Sequence, residues 1–309
     1  MDKISTFVID DVIWVFRDLT RQKPASLFDN PFLNMLREAH DTYGLKVQLN
    51  IFFKTDNFYG NDEFSLAEMT DIYKKEWEEA ADWLIFGFHA KQEFPDYPYI
   101  NADYEQIKTD FTQMQNEVYR FASPKNWSIA VLNHWRPMSK DGCKALYDYG
   151  ARLISATIGD RLEYNGDPLS LPYGHAPRLL HNRKPETMLF TRNSKDVAIR
   201  HSLCGYNHVT VEEQELTLCT SKYIENAETG LKFKNFLSSI VHNLSSVEDI
   251  REEMAQYTEN EYFGWGTHEQ YFYPEYYAYQ SEYKEKLMIA CDVLKNNGYK
   301  FIFMQDLIK

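Results

Sequence analysis

Four apolar segments of this chain are each followed at once by side chains that could bind a cation or move a proton. The four groups are Asp10 and Asp11; His89; His134 with Trp135 and Arg136; and His268 with Glu269. In parallel α/β folds, side chains at the carboxyl ends of the strands meet at one edge and form the active site. We therefore expect carboxylates, imidazoles and a guanidinium to converge at one edge of a sheet.

Asp10 and Asp11 form a pair of adjacent carboxylates. Such a pair is costly at a strand end unless a cation or hydrogen bonds compensate the repulsion. Successive side chains of a strand diverge, so one carboxylate could bind a metal ion while the other acts as a general base. The alternative is that Asp10 or Asp11 only caps a helix that begins near Val12.

His89 and Glu93 lie four residues apart, directly after another apolar segment. This spacing brings both side chains within reach of one ion and favours a ligand role for His89. The alternatives are a buried core histidine and an exposed loop carboxylate. His268 could likewise be structural, although we favour a functional role.

The elements that must position these residues follow a repeated pattern, in which an amphipathic helix ends at a glycine and an apolar run comes next. The glycines are Gly44, Gly150 and Gly298, and each supplies the left-handed residue that ends a helix. Apolar residues three and four apart predict two further helices, over 66–84 and 104–121. Alternating helices and apolar runs predict an α/β fold with a parallel sheet, closed into a (β/α) barrel.

Residues from about 158 to 243 break this pattern with clusters of Pro, Gly and Asn. We interpret them as a long insertion with small β elements, covering one end of the barrel. The insertion belongs to a single domain over residues 1–309. The alternative is a decorative subdomain that brings no catalytic residue.

Composition excludes some classes of partner. The 33 Lys and Arg against 46 Asp and Glu give a net charge of −13, which argues against nucleic acid or an anionic membrane as the partner. Aromatic residues make up 16% of the chain, which suits either a sugar site or an aromatic-rich core. The sequence has no apolar signal region and no 18-residue apolar span, so we expect a cytoplasmic protein. It predicts no particular oligomeric state.

Four short motifs occur in a characteristic order: residues 7–11 (FVIDD), then Gly87, Phe88 and His89, then Arg136 and Pro137, and then Thr267 and His268. Together they resemble the polysaccharide deacetylase family of carbohydrate esterases. The resemblance implies a distorted (β/α) barrel, here of seven strands, that removes acetyl groups from amino sugars. It also implies a divalent metal, with zinc the expected ion.

The resemblance also implies roles for individual residues. It makes Asp10 the base, Asp11 and His89 metal ligands, Arg136 the residue that positions the base, and His268 the acid. Two positions depart from the family pattern: Val12 stands where Gly is usual, and Glu93 stands where a second metal histidine is usual. A set of Asp11, His89 and Glu93 can still hold Zn²⁺ or a harder ion.

We expect a small-molecule or oligosaccharide substrate that contacts side chains near the strand ends. These are His134, Trp135, Trp265 and Tyr271, with core packing the alternative for the aromatic ones. The sequence thus predicts a metal-dependent hydrolase that removes an acetyl group from an amino sugar or related carbohydrate by attack of activated water. Two alternatives stay open. One is a non-catalytic carbohydrate-binding or regulatory protein on the same barrel, and the other is a metal-independent, glycosidase-like hydrolase using carboxylates such as Asp10, Asp11, Glu93 or Glu269.

Overall fold

A computed structural model of the chain describes residues 3–55, 62–95, 98–99, 101–155, 157–158, 216–217, 219–227, 229–234, 246–255 and 258–309. Its helices are α1 (Trp14–Gln22), α2 (Pro31–Tyr43), α3 (Lys74–Glu79), α4 (Tyr104–Phe121), α5 (Lys140–Asp148), α6 (Val247–Ala255) and α7 (Tyr283–Asn296). Its strands are β1 (Lys3–Val12), β2 (Val47–Phe52), β3 (Leu84–Ala90), β4 (Ala130–Val131), β5 (Pro137–Met138), β6 (Leu153–Ile154), β7 (Thr157–Ile158), β8 (Ile224–Glu225), β9 (Lys232–Phe233), β10 (Tyr262–His268) and β11 (Tyr299–Phe301).

A parallel sheet with β1 at its centre organises the molecule. β1 pairs with β10 along one edge, and with β11 and β2 along the other. β2 in turn pairs with β3, also in parallel. The carboxyl ends of these strands therefore point the same way, which is the geometry that brings strand-end side chains together. This arrangement confirms the predicted α/β class with a parallel sheet.

The sheet continues past β3 through residues 127–134, which run alongside it. The Ser128 N–H donates to the Phe86 carbonyl (2.8 Å), and the His134 N–H donates to the His89 carbonyl (3.1 Å). β4, which belongs to this segment, pairs in parallel with β6, and β6 pairs in parallel with β9. The described strands thus follow the parallel order β10, β1, β2, β3, β4, β6, β9. No described pairing joins β9 to β10, so closure into a seven-stranded barrel stays a prediction.

The segment predicted as an insertion contributes at least one strand to this sheet. β9 lies within 158–243 and pairs with β6, and the short β8 pairs antiparallel with β9. Most other residues of 158–243 lie outside the described residues. The placement of the predicted insertion over one end of the barrel stays a prediction.

Helix boundaries follow from capping residues. α2 begins after Asn30, whose side chain accepts from the N–H groups of Phe32 and Leu33 (3.0 and 3.2 Å), and it ends at Gly44 with φ 76°. α4 spans Tyr104–Phe121 and buries the predicted apolar stripe. Among the described residues, no helix combines the length and the apolar character needed to cross a bilayer.

The single helix predicted over 66–84 is wrong. The structure has one short 3₁₀ turn at Leu66–Glu68, then α3 over Lys74–Glu79, and Leu84 already begins β3. The interruption falls at Thr70, whose Oγ1 accepts from the Ile72 N–H (3.4 Å). Side-chain to backbone bonds of this kind compete with helix formation. The apolar residues at this spacing are buried, for example Leu66, Trp77 and Leu84, but they come from three elements.

One face of the sheet encloses a small core of its own. This cluster consists of Val8, Ala130, Leu132, Leu153, Tyr262 and Met304. It joins β1 to β4 and β6, although β2 and β3 lie between them in the sheet. The sheet must therefore curve around this face, and the same face carries polar side chains nearer the carboxyl ends of the strands.

Candidate metal centre

The end of β1 is bent at the two aspartates. The register between β1 and β2 shifts between Ile9 and Val12, and Asp11 adopts a left-handed backbone with φ 60°. A left-handed residue other than glycine costs roughly 1–2 kcal/mol. The irregularity takes Asp11 out of the normal alternation of the strand, so that its carboxylate reaches the side chain at the end of β3.

Three buried side chains meet at this point. Asp11 Oδ1 lies 2.9 Å from His89 Nε2 and 3.1 Å from His134 Nδ1. The two histidine nitrogens are themselves 3.1 Å apart. Asp11, His89 and His134 thus offer one ligand atom each to a common centre. We refer to these three atoms as the donor group.

The outer hydrogen bonds of the two histidines fix which nitrogen carries a proton. His89 Nδ1 lies 2.6 Å from the Leu132 carbonyl, and His134 Nε2 lies 3.1 Å from the Glu93 carbonyl. A carbonyl only accepts, so these outer nitrogens donate and the inner nitrogens of the neutral rings present lone pairs. With both rings neutral, the donor group is three acceptors facing one another, and a metal ion between them would satisfy all three.

In the absence of an ion, Asp11 and the neighbouring imidazoles favour each other's charged forms. Burial alone would raise the pKa of Asp11, but His134, His268 and His89 hold this pKa well below the usual value. Burial opposes a charge on His89, whereas Asp10 and Asp11 raise its pKa above the ordinary value. The site thus combines an ionised carboxylate with imidazoles in a buried environment.

The donor group fits a divalent transition metal. Ligand atoms of a tetrahedral Zn²⁺ ion with bonds of 2.0–2.1 Å lie about 3.3 Å apart, close to the separations seen here. Histidines that bind metals commonly donate their other N–H to a backbone carbonyl or carboxylate, as His89 and His134 do. Two imidazoles and one carboxylate suit zinc and neighbouring ions better than calcium or magnesium.

Asp10 lies beside the donor group, and a chain of hydrogen-bonded side chains holds its carboxylate. The Asn50 Nδ2 donates to Asp10 Oδ1 (2.6 Å), and Gln48 Nε2 donates to Asn50 Oδ1 (2.8 Å). Ser128 Oγ then donates to Gln48 Oε1 (2.8 Å). We call Asn50, Gln48 and Ser128 the amide chain. The sequence analysis missed it, although Gln48 and Asn50 are polar residues two apart in an otherwise apolar strand.

Gly87 provides the room for the amide chain. A Cβ atom at this position of β3 would lie 2.4 Å from Gln48 Nε2 and 2.5 Å from Asn50 Oδ1. Both side chains are buried and tied by hydrogen bonds, so they have little freedom to move away. The close packing of Gln48 and Asn50 therefore explains why the Gly87-Phe88-His89 motif begins with glycine.

His268 lies at the rim of the donor group. Its Nε2 is 3.7 Å from Asp11 Oδ2, and about a quarter of its side chain is exposed. Its ring packs edge-on against Tyr271, with ring centroids 5.4 Å apart. Burial raises the pKa of Tyr271, and the charges of Asp11 and Glu93 raise it further. An accessible imidazole and a protonated phenol thus stand at one side of the centre.

The structure favours His134 over Glu93 as the third ligand atom. The Glu93 carboxylate lies 3.8 Å from His134 Nε2, on the outer side of the ring, and its side chain is one-third exposed. Glu93 is outside the donor group, so its metal role stays a prediction that the geometry does not favour. His134, predicted to contact substrate, follows a strand end like the other ligands, and this was the available signal.

Trp135 and Arg136 follow His134 in a turn where both adopt a left-handed backbone, with φ of 63° and 74°. The Trp135 ring meets the His134 ring edge-on, with centroids 5.8 Å apart. Arg136 Nη1 donates to Ser155 Oγ (3.2 Å). Both side chains are half-buried, and their predicted roles in binding substrate and orienting Asp10 stay predictions.

The prediction that Trp265 contacts substrate is wrong. Its side chain is fully buried, and its ring packs against Phe7 with centroids 4.2 Å apart. Its Nε1 donates to Ser5 Oγ (3.1 Å). Alternation along β10 directs Trp265 to the helix-covered face, away from His268.

The alternative reading of Asp10 or Asp11 as a helix cap is also wrong. The first N–H groups of α1 donate instead to the Glu269 carboxylate, from Ile13 and Trp14 to Oε2 (2.7 and 2.9 Å) and from Val15 to Oε1 (2.7 Å). Glu269 is fully buried. This carboxylate is therefore committed to the backbone and is inaccessible to a glycoside.

Comparisons with known proteins give similarity of structure alone. No protein-family model matches the sequence, and the comparison with curated proteins found no match either. Among solved structures, the chain is similar to the 4-alpha-glucanotransferase from Thermococcus litoralis, with 11% identity and a TM-score of 0.55. The match covers the whole of this chain but only 40% of the glucanotransferase chain, and it supports the fold.

Two carbohydrate esterases are also among the similar structures. They are the Xyl-CE4 domain of a multidomain xylanase from the hindgut metagenome of Trinervitermes trinervoides, with a TM-score of 0.43, and a family 4 acetyl xylan esterase from Clostridium thermocellum in complex with a cobalt ion, with a TM-score of 0.42. Each is 9% identical, and each match covers 99% of this chain and 90% of the other.

Proposed function

We propose that this chain is a metal-dependent hydrolase that removes an acyl group, acetyl in the first instance, from an amino sugar or related carbohydrate. The observation that carries the proposal is the donor group, in which three buried acceptors face one another at about 3 Å. A divalent ion at this point would satisfy all three acceptors at once. Zinc is the proposed ion.

Asp10 is the proposed general base. When bound by Asp11, His89 and His134, a divalent ion would polarise the acyl carbonyl and bring the pKa of a water molecule toward about 7. Asp10 is half-buried beside this point, and Asn50 holds one of its carboxylate oxygens. The other oxygen is free of that bond and would take the proton of the attacking water.

His268 is the proposed general acid. Hydrolysis forms a bond from the water oxygen to the acyl carbon and breaks the bond from that carbon to the sugar nitrogen. His268 is partly exposed at the rim of the donor group, where its imidazole would give a proton to the departing nitrogen. Arg136 would help to orient Asp10.

Trp135, His134 and Tyr271 surround the proposed position of the sugar. Trp135 is half-buried and offers a ring face and a polar tip that suit a carbohydrate. Tyr271 is 6% exposed and would act through its contact with His268, while His134 acts here through the ion. The cytoplasmic location expected from the sequence would favour a small or intracellular acylated sugar over a wall polymer. The proposal includes no nucleic-acid or membrane partner.

Metal analysis combined with an acetate-release assay tests the proposal. We expect about one equivalent of divalent metal per chain, and acetate release from N-acetylglucosamine oligomers that stops after chelation and returns with Zn²⁺ or Co²⁺. Cleavage of glycosidic bonds that persists after chelation would support the glycosidase alternative. Oligosaccharide binding without turnover in the metal-loaded protein would support the binding-protein alternative.

A further inference from the structure

Glu269 links two parts of the chain that are far apart in sequence. It follows His268 at the end of β10, and its carboxylate accepts the N–H groups of Ile13, Trp14 and Val15 at distances of 2.7–2.9 Å. These groups begin α1 and would otherwise lack partners within the helix. The residue before α1 is Ile13, whose side chain cannot accept a hydrogen bond. The cap is therefore supplied from another strand.

Burying a carboxylate costs free energy, and capping a helix does not require it. Glu269 is fully buried, and burial raises its pKa to about 7 although the three N–H donors oppose this. A Ser, Thr or Asp at the cap position would satisfy the start of α1 locally. A buried carboxylate brought from β10 suggests that the connection between the two elements matters.

The connected segment is the one that carries Asp11. Asp11 has the strained left-handed backbone, and α1 begins three residues after it. The Gln270 Nε2 donates to the Asp11 carbonyl (3.1 Å). The chain is thus held at Asp11 itself and at the residues that follow, in both cases from the segment directly after His268.

We propose that Glu269, assisted by Gln270, is a positioning residue that fixes the Asp11 carboxylate in the donor group and sets its place relative to His268. This inference rests on the proposed function, because it assumes that the donor group binds a divalent ion. Outer contacts of metal ligands commonly change metal affinity by about 10–100-fold when they are lost.

Glu269→Gln is the informative substitution. It keeps the size of the side chain but replaces one carboxylate oxygen by an NH₂ group. Whichever way the amide turns, donor then faces donor, either at Val15 or at Ile13 and Trp14. The turn must rearrange, and Asp11 moves with it.

Glu76 provides a matched control. Its Oε2 accepts from the Leu27 N–H (2.9 Å) and from Ser26 Oγ (2.6 Å), so it too is a carboxylate that caps a helical turn of another element. It belongs to α3, and none of its described bonds reaches the donor group. Because one oxygen makes both bonds, a Gln amide oxygen could keep them, and Glu76→Leu is the variant that removes this cap without affecting metal ligands.

The experiment uses the full chain, stripped of metal and titrated with Co²⁺. Affinity is measured by calorimetry, ligand geometry by the visible absorption of bound Co²⁺, and folding by thermal melting. We expect Glu269→Gln to bind Co²⁺ about 10-fold or more weakly, with altered visible bands, while Glu76→Leu matches wild type in both. Both variants should melt at lower temperature than wild type.

Each other outcome overturns a specific statement. If Glu269→Gln melts lower but binds Co²⁺ with wild-type affinity and spectrum, Glu269 is only a cap and the inference fails alone. If wild type binds no Co²⁺, the proposed function fails, and this inference fails with it. If Glu269→Gln does not fold, Gln270→Leu decides by the same readouts, with an altered spectrum expected and a wild-type spectrum contradicting the inference.

Discussion

Two buried carboxylates stand at the ends of neighbouring strands, Asp11 on β1 and Glu269 just after β10, and they respond to burial in opposite ways. The pKa of Asp11 is held well below its usual value, whereas burial raises that of Glu269 to about 7. Both side chains are almost inaccessible to solvent. The difference therefore lies in their partners, which are imidazoles for Asp11 and backbone N–H groups for Glu269.

This contrast separates a site that attracts a cation from one that organises the backbone. A neutral imidazole binds a metal ion through its lone pair, so a cluster of imidazoles and a carboxylate can be completed by a metal ion. Backbone N–H groups carry only partial charges and leave Glu269 close to the neutral form. Two acidic residues in similar strand-end positions thus serve different purposes.

The largest expected effect comes from removing a member of the donor group. His134→Ala should abolish stoichiometric zinc retention and lower Co²⁺ affinity by more than about 100-fold, since even outer contacts of ligands cost 10–100-fold. Acetate release should fall to the background of the metal-free protein. Inductively coupled plasma analysis of the purified variant and Co²⁺ calorimetry measure these effects.

Glu93→Gln is the control for this experiment. Its carboxylate is partly exposed and lies outside the donor group, so affinity should change by less than about 5-fold. Metal loss in Glu93→Gln together with retention in His134→Ala would show that the sequence-based assignment is right and that the geometric one is wrong.

The second prediction concerns Asp10. This half-buried carboxylate belongs neither to the donor group nor to the cap of α1. Asp10→Asn should lower kcat by about 10²–10⁴-fold, as expected for loss of a general base. Co²⁺ affinity should stay within a few-fold of wild type, because Asp10 contributes no atom to the donor group. Steady-state kinetics and calorimetry on one preparation separate the two effects. Equal losses in kcat and in metal affinity would instead make Asp10 a ligand.

These residues also show what the sequence could predict. The rule that chemistry follows strand ends correctly selected Asp11, His89, His134 and His268 as residues that come together. The rule could not assign His134 as a ligand. That assignment depends on residues 127–134 running beside β3, and the spacing of His89 and Glu93 carries no information about this pairing. Burial of Trp265 depends on which face of β10 the helices cover, and this too is a tertiary property.

The polar side chains that support the site were harder to predict from the sequence. Asn50 and Glu269 each act on a segment distant in sequence, Asn50 on Asp10 and Glu269 on the start of α1. A buried polar residue in an apolar strand indicates that a partner exists, but periodicity alone does not identify it. The helix predicted over 66–84 failed for a local reason, the competing hydrogen bond at Thr70.

The third prediction tests the raised pKa of Glu269 through stability. A carboxyl group with a pKa of about 7 when folded and 4.5 otherwise binds its proton more tightly in the folded state. It therefore contributes stability below pH 4.5, and this contribution is lost as the pH rises to about 7. The loss amounts to about 3 kcal/mol in the free energy of unfolding.

Urea unfolding of metal-free protein at several pH values between 5 and 8 measures this loss. Wild type should lose stability across this range more steeply than Glu269→Gln, which has no titrating group at this position. The difference between the two profiles isolates Glu269 from other groups. Parallel profiles would mean that the three N–H donors keep Glu269 ionised throughout, and the contrast with Asp11 would then be one of partners alone.

The smallest expected effect comes from Gly87, which supports Asp10 indirectly. Gly87→Ala would place a Cβ atom 2.4–2.5 Å from Gln48 Nε2 and Asn50 Oδ1, so the amide chain must shift and its bond to Asp10 weakens. We expect a loss of about 1–3 kcal/mol in stability from overpacking and a fall in kcat of about 10-fold, with Co²⁺ affinity retained. Gly142→Ala is the control, because its added Cβ would lie 2.5 Å from Met138 Sδ, away from the amide chain. If both variants lower kcat equally, the effect is one of general packing, whereas a fall confined to Gly87→Ala makes the amide chain the support of the base.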